Sequence, residues 1–305
     1  MEAITMAVVH DERSALETEA FPPPLPPMPS RPRAHRRRRW VLLGIGVVAV
    51  VVLSTFAFGF VRYELRSHPG AKSVGSAVHA FHSGPDVTAN GSPYAQPAAG
   101  VYTLGGQGHE QISFPPNTQN DGAVMPATVQ YLSSGCWRWH IDYNVAHWEE
   151  FDFCPTAAGL GQPVNRNSQS WDFGALKISN QATLTCPSTT VVLPPDPRAG
   201  TTLHWSCPEV NTVAGSGRST TTATIVGTGT LQIGGTAVTA VHEQQKTTVT
   251  GAQKGAVTED WWFSTSTGLP LQVQRHIVIH TNSPLGAITY TENGSWTMSS
   301  LTPRT

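Results

Sequence analysis

Cys136-Trp-Arg-Trp-His-Ile-Asp-Tyr-Asn-Val-Ala-His-Trp-Glu-Glu-Phe-Asp-Phe-Cys154 is the stretch from which the fold can be read. Folded about Val145, it sets opposite one another residues whose numbers share one sum. Cys136 meets Cys154, Trp137 meets Phe153, Arg138 meets Asp152, Trp139 meets Phe151 and His140 meets Glu150. A single register thus supplies a disulfide, two aromatic pairs and two pairs of opposite charge, the second when His140 is protonated. Facing side chains in an antiparallel ladder lie ~4.5 to 5.5 Å apart, which suits every one of these partners. Strand alternation then puts Trp137, Trp139, Phe151 and Phe153 on a face that should meet a core, and Arg138, His140, Glu150 and Asp152 on the other.

The other two cysteines, Cys186 and Cys207, enclose the turn-rich stretch Pro194-Pro-Asp-Pro-Arg-Ala-Gly200, with Val191-Val-Leu193 before it and Leu203-His-Trp205 after it. That reads as a second stapled hairpin. Nested and crossed bridges stay formally open, since four cysteines allow three connectivities. Without a Cys-x-x-Cys spacing, two disulfides in an oxidising compartment are expected rather than a zinc site.

Beyond Ser219 the chain is rich in Thr and Val and reads as a meander. Gly234-Gly235 should join Thr222–Ile233 to Thr236–Thr248, and Ser266-Thr-Gly268 should join Trp261–Ser264 to Leu269–Thr281. Asn282-Ser-Pro-Leu-Gly286 leads into 287–292, and Asn293-Gly294 signals one more hairpin before 296–301. In the strand from Leu271, Leu271, Val273, Ile277 and Ile279 share an apolar face opposed by Gln272, Gln274, His276 and His280. Arg275 interrupts that apolar face. The favoured reading has it snorkel from the domain edge; the other makes it a polar contact inside a ligand cavity.

Upstream, Trp40-Val-Leu-Leu-Gly-Ile-Gly-Val-Val-Ala-Val-Val-Val-Leu-Ser-Thr-Phe-Ala-Phe-Gly-Phe-Val61 carries no charge. As a helix its length is ~33 Å, enough for a hydrocarbon core of ~30 Å. Arg31-Pro-Arg-Ala-His-Arg-Arg-Arg-Arg39 precedes it and only Arg62 and Arg66 follow closely, so the amino terminus should be cytoplasmic and the bulk extracellular. The run is too long for a cleavable signal, and Phe56-Ala-Phe-Gly-Phe places bulky residues where cleavage needs small ones. Four regions result: a disordered Pro/Arg-rich tail over 1–39, a transmembrane helix over 40–61, a flexible tether over 62–100 and an antiparallel β domain over 101–305. The tail includes Phe21-Pro-Pro-Pro-Leu-Pro-Pro-Met-Pro29, and Met28 is an alternative start. A short helix is expected within the tether near Val74 to Phe81.

Charge narrows the function. Residues 1–39 carry seven Arg and five acids, whereas 63–305 carry eleven bases and fifteen acids, so the outer domain stands at −4 and is a poor partner for nucleic acid. The Arg run beside the span reads as a topology signal and a contact for anionic lipid. His242-Glu-Gln-Gln-Lys246 misses the His-Glu-x-x-His zinc motif at its second ligand and sits in strand-like sequence. His276 and His280 share a strand face ~13 Å apart, too far to hold one ion. The eight Trp beyond the span read as core and rim, and Asn90-Gly-Ser and Asn293-Gly-Ser match the glycosylation acceptor. No metal or other cofactor is expected.

Two family resemblances bear on the function. Ser133-Ser-Gly-Cys-Trp-Arg138 resembles the Ser-x-Gly-Cys-x-Arg stretch of L,D-transpeptidases, which would make Cys136 a nucleophile. That family's upstream His-Gly has no counterpart here, since no His lies between His109 and Cys136, and a thiolate needs such an activator. The segment Trp262-Phe-Ser-Thr-Ser-Thr-Gly-Leu-Pro-Leu271, after the Gly-Gly-Thr-Ala-Val-x-Ala-Val strand of Gly234 to Val241, resembles the trailing strands of extracytoplasmic half-barrel proteins. These are the lipoprotein carriers and the mycobacterial glycolipid carriers, and the likeness spans Thr222 to Leu301. It implies a curved antiparallel sheet around an apolar cavity for acyl chains, in a carrier, a tethered receptor or a sensor. The expectation is an all-β ectodomain, a curved antiparallel sheet or half-barrel on one N-terminal transmembrane helix, in an actinobacterial type of cell envelope. It would bind a lipid-like or protein partner there without catalysis. The transpeptidase is the alternative, and a purely structural envelope protein with a filled interior is a third reading.

Overall fold

The computed structural model describes residues 48, 50–55, 58, 61, 68–85, 91–174, 176–283 and 286–305. The tail expected over 1–39, much of the span expected over 40–61, and Asn90 lie outside them. Residues 48, 50–55, 58 and 61 are helical, with the valines, Leu53 and Phe58 exposed. Ser54 Oγ donates to the Val50 carbonyl at 2.6 Å and Thr55 Oγ1 to that of Val51 at 3.0 Å, so both hydroxyls are satisfied within the helix. Among the described residues no helix is long and apolar enough to cross a membrane.

From residue 100 onward the chain is antiparallel β throughout: β1 (Gly100–Ser113), β2 (Pro116–Asn120), β3 (Val124–Tyr131), β4 (Trp137–Asn144), β5 (His147–Thr156), β6 (Gly159–Asp172), β7 (Lys177–Thr185), β8 (Val191–Leu193), β9 (Thr202–Asn211), β10 (Gly215–Ile233), β11 (Thr236–Gly251), β12 (Gln253–Ser264), β13 (Pro270–Ser283) and β14 (Gly286–Met298). Sequential neighbours pair around the sheet, and Leu104–Ile112 of β1 then pair with Met298–Tyr290 of β14. The half-barrel expected from the sequence is therefore a closed barrel. With β2 and β8 off the main path, the fourteen strands leave twelve in the ring. Closure follows from β1, whose far half continues past β3 and offers β14 a complete edge, removing the unpaired edges that an open sheet exposes. β2 and β3 keep one register with β1 (His109↔Asn120, Gly100↔Val129), so they form a single strand interrupted at 121–123.

The β4–β5 hairpin has the register read from the sequence, from Trp137↔Phe153 to His140↔Glu150, and Cys136–Cys154 closes its base. Its outer face carries a charged ladder in which Arg138 and Arg166 both reach Asp152, at 2.7 and 3.2 Å. Cys186–Cys207 is the second bridge, so the cysteines pair in sequence order. The expected 191–193 with 203–205 hairpin does not form: β8 pairs with β6, and β9 pairs with β7 through Leu184↔Glu209. Extending that β7–β9 register places Cys186 opposite Cys207, so the disulfide belongs to the longer pairing and β8 folds inside its loop. The turns at Gly234-Gly235 and 265–268 stand where expected. Asn293-Gly294 is no turn, however, because β14 runs straight through it against His276 and Arg275.

The tether expected over 62–100 is not free over its described part. Gly70 accepts from Val145 N at 3.0 Å, and Lys72 pairs with Asp142 at 2.8 Å. Next comes α1 (Val74–Ala80), capped by Ser73, as the sequence led one to expect. Residues 91–98 then cross one end of the barrel, where Ala95 N reaches the Ser266 carbonyl and Tyr94 OH the Pro194 carbonyl. Beneath that strap the lumen is filled. Trp137 packs tilted against Phe153 at 4.7 Å, Phe151 meets the edge of Trp261 at 5.4 Å, and Leu104, Leu160, Leu193 and Leu271 are fully buried. Each such aromatic buries ~150–250 Å², or ~4–6 kcal/mol of transfer free energy, so this plug supplies much of the stability.

Candidate functional site

Alternation carries a second set of side chains into the lumen beyond the plug. On β13 the inward series is Leu271, Val273, Arg275, Ile277, Ile279; on β5 it is Phe153, Phe151, Glu149, His147; on β14 it is Trp296, Gly294, Glu292, Tyr290, Ile288. A ring of about eight strands is just filled by its own side chains, and twelve enclose more space than these residues occupy. What remains is a cavity of about 300 Å³ reaching from the plug toward the other end. Its lining is two-sided. Val257, Ile277, Ile279, Ile288 and Ile112 make an apolar wall from β12 through β1, while on β6 and β7 the amides Asn165, Asn167, Gln169 and Asn180 stand among the apolar Trp171, Ile178, Ala182 and Leu184.

Charged groups sit between plug and cavity. Arg275 is 8% exposed; its guanidinium donates to Glu149 Oε2 at 2.8 Å, pairs with Glu292, donates to Tyr143 OH at 2.8 Å and lies 4.2 Å over the Tyr143 ring. It does not snorkel from the domain edge, as the favoured reading had it. Two carboxylates draw it inward, and the polar contact inside a cavity is what the structure shows. Glu110, fully buried, accepts from His147 Nδ1 at 2.8 Å and from Gln119 and Gln169 at 2.8 and 3.0 Å. Tyr290 OH joins it to Glu292. Asp121 occupies the space over Gly108, where a Cβ would fall 1.9 Å from its Oδ2. Gly294, paired with Gly108, lies in ordinary contact with the same groups, a Cβ there falling 3.5 Å from both Asp121 Oδ2 and Glu292 Oε1.

Proton affinities follow from this packing. Burial alone would push the His147 imidazolium down, but the Glu110 carboxylate more than offsets it and holds the pKa at about 9. The same contact keeps Glu110 ionised despite its burial, below the usual carboxylate range. Burial, with Glu292 and Glu110 nearby, raises Asp121 to about 7. Burial raises Glu243 to about 8 and, with Glu149 adding to it, Glu259 to about 7. Tyr143 and Tyr290 are pushed well above the phenol range, chiefly by burial. Glu110, Asp121 and His147 bring potential metal-ligand atoms within 4.8 Å of one another, yet both Glu110 oxygens are already taken by donors.

The residues singled out in the sequence fall elsewhere. Cys136 is locked to Cys154, and no cysteine is free. His242 lies on the outer wall, stacked on Trp262 at 4.3 Å and bonded to Asp260 at 2.7 Å; His276 and His280 face outward to Asn293 and Thr289. His140 faces outward as well. Burial opposes its charge, but Asp142 and Glu150 raise it to about 8, so it is protonated at neutral pH and completes the pair read from the sequence.

No protein-family model matches the chain, and neither does any curated protein. Among solved structures, the hypothetical lipoprotein YmcC from Escherichia coli (K12) is similar over 68% of this chain and 90% of its own, at 15% identity and a TM-score of 0.30. The site therefore rests on its own geometry. Glu110, Glu149, Glu292, His147 and Tyr290 went unnoticed in the sequence, although the parity of β5 already set Glu149 and His147 on the face of Phe151 and Phe153.

Proposed function

We propose that this chain is a single-pass, membrane-anchored protein whose extracytoplasmic barrel holds an amphipathic, lipid-like molecule in its lumen without catalysis. The observation that supports this reading is the cavity: closed at one end by an aromatic plug, lined by an apolar wall and by a wall of mixed amide and apolar side chains, and about 300 Å³ in volume, at the lower end of small-molecule sites of ~300–1,000 Å³. A purely structural barrel would gain from filling that space. The uncharged run 40–61, the Arg-rich stretch before it and the two disulfides support the anchor and the oxidising side of the membrane.

The charges constrain the ligand. Among the described residues Arg275 is the arginine of the lumen, and two carboxylates already engage it in ion pairs. A fatty-acid carboxylate or a phosphate placed there finds no free counter-charge, since Arg275 and His147 are already paired with carboxylates, so the polar end of the ligand is neutral or cationic. Native mass spectrometry of the full chain, purified in detergent from its own host, tests the proposal. A stoichiometric bound mass with a neutral or amine-bearing head is expected. An empty lumen, retained when the host membranes are added back, would sink it.

A further inference from the structure

Large exposed apolar side chains are spread unevenly over the barrel. At the cavity end the turns carry Phe114 (46% exposed), Val145 (65%), Leu176 (59%) and Val213 (59%), one on each of the β1–β2, β4–β5, β6–β7 and β9–β10 connections. The described turns of the plugged end carry none; the other exposed examples in the barrel, Val124, Val210 and Val226, stand on strands. Lys177 and Lys254 are exposed beside the cavity-end turns, and Asp172, which pairs with Lys177 in the β6–β7 register, accepts from the Gly174 N–H at 2.7 Å. Apolar tips with flanking lysines at the rim of a cavity suit the headgroup zone of a bilayer.

The chain itself says which surface is at hand. Among the described residues its first contact with the barrel is at the cavity end, where His68 Nδ1 lies 3.2 Å from the Thr118 carbonyl and Val145 N donates to Gly70. From Val61, the last residue of the apolar run, to His68 is seven steps of at most ~3.6 Å, so this contact can stand no more than ~25 Å from the end of that run. Only after that contact does the chain pass along the wall to the plugged end. An anchor leaving from the cavity end holds the rim at the membrane, whereas a tether free to residue 100 would have released it.

The geometry points to a barrel that stands rim-down on the outer leaflet, its apolar turn tips in the phospholipid interface, so that the lumen opens to lipid rather than to water. This rests on the anchor of the proposed function and adds the orientation and the route of entry.

The test uses the full chain reconstituted in vesicles of phosphatidylcholine with a minor fraction of phosphatidylglycerol. Single Val213→Cys, Ala158→Cys and Ser54→Cys variants carry an environment-sensitive fluorophore, and part of the lipid bears a headgroup-proximal quencher. Val213→Cys is expected to emit to the blue and lose most of its signal to the quencher, while Ala158→Cys, on the β5–β6 turn of the plugged end, keeps its signal. Equal, water-like emission from both, or quenching at Ala158 alone, overturns the orientation while quenched Ser54→Cys keeps the anchor. A Ser54→Cys probe untouched by lipid brings down the anchor and the orientation with it. Leu176→Asp with Val213→Asp, which leaves the strands intact, should abolish quenching of a probe at Phe114→Cys.

Discussion

Replacing Arg275 by Met keeps the stem of the side chain and removes the charge that two buried carboxylates share. In the native chain Glu149 and Glu292 flank the guanidinium, and Glu292, at 1% exposure, would keep the Tyr290 hydroxyl but no cation. Breaking a buried ion pair by deleting one partner costs about 3–5 kcal/mol, because the other charge stays desolvated and unpaired. In a domain of roughly 200 residues each kcal/mol moves the thermal midpoint by ~2–4 °C, so Arg275→Met should lower it by ~6–20 °C at pH 8. The assay is thermal and urea unfolding of the full chain in detergent, followed by near-ultraviolet circular dichroism of the buried Trp residues. The decisive comparison is with Arg275→Met/Glu149→Gln/Glu292→Gln, which removes the charges together. Replacing a whole buried network is close to neutral, so the triple variant should recover most of the loss. A triple variant as unstable as the single one would refute the electrostatic reasoning and make Arg275 a packing residue.

Glu243, raised to about 8 by burial, keeps in the folded chain a proton that the unfolded chain releases above its ordinary value near 4.5. Its contribution is therefore whole below pH 4.5 and is lost as pH rises through 8. Glu243→Gln should leave the urea midpoint unchanged at pH 5 and raise it at pH 9. The His147–Glu110 pair runs within limits set at both ends: His147, raised to about 9, stabilises fully below pH 6.5 and fades through 9, and Glu110 fades as acid protonates it. His147→Gln should accordingly cost most near pH 5 to 6 and little at pH 10, read from the same unfolding curves. Cys186→Ala/Cys207→Ala opens a loop with a sequence separation of 21 and should cost ~3 kcal/mol, seen as an earlier guanidinium midpoint. Gly108→Ala would drive a Cβ into Asp121 Oδ2, so it should destabilise, and Asp121→Ala added to it should restore much of the midpoint.

How much of this was legible depended on how far apart the deciding residues lie in the chain. Local pairings read well. The β4–β5 register, both disulfides, α1 and the Gly234-Gly235 turn each depend on residues within about twenty positions, where complementary side chains and turn chemistry fix the geometry. Asn293-Gly294 shows the converse: a sequence that turns readily was kept straight because β13 and β1 pair with it on both sides. β8 was misassigned for a related reason, since its partner β6 lies across the loop that the second disulfide closes.

The lumen was hidden more deeply, but it left a trace. Arg275 on the apolar face of β13, and Glu149 with His147 on the aromatic face of β5, are charges of the wrong parity for a one-sided sheet. Each alone can be explained as an edge residue. Two such strands with opposite charges suggest instead that the faces look at one another across a shared interior, where each charge finds its partner. What parity cannot supply is the number of strands between them. Whether charges meet across a packed core or at the edge of a cavity is set by the circumference, and that follows from β1 reaching β14, a pairing about 190 residues apart that no local pattern specifies. Had the ring stopped at about eight strands, the same inward residues would have filled it, and Arg275 would mark a buried network with no room beside it for a ligand.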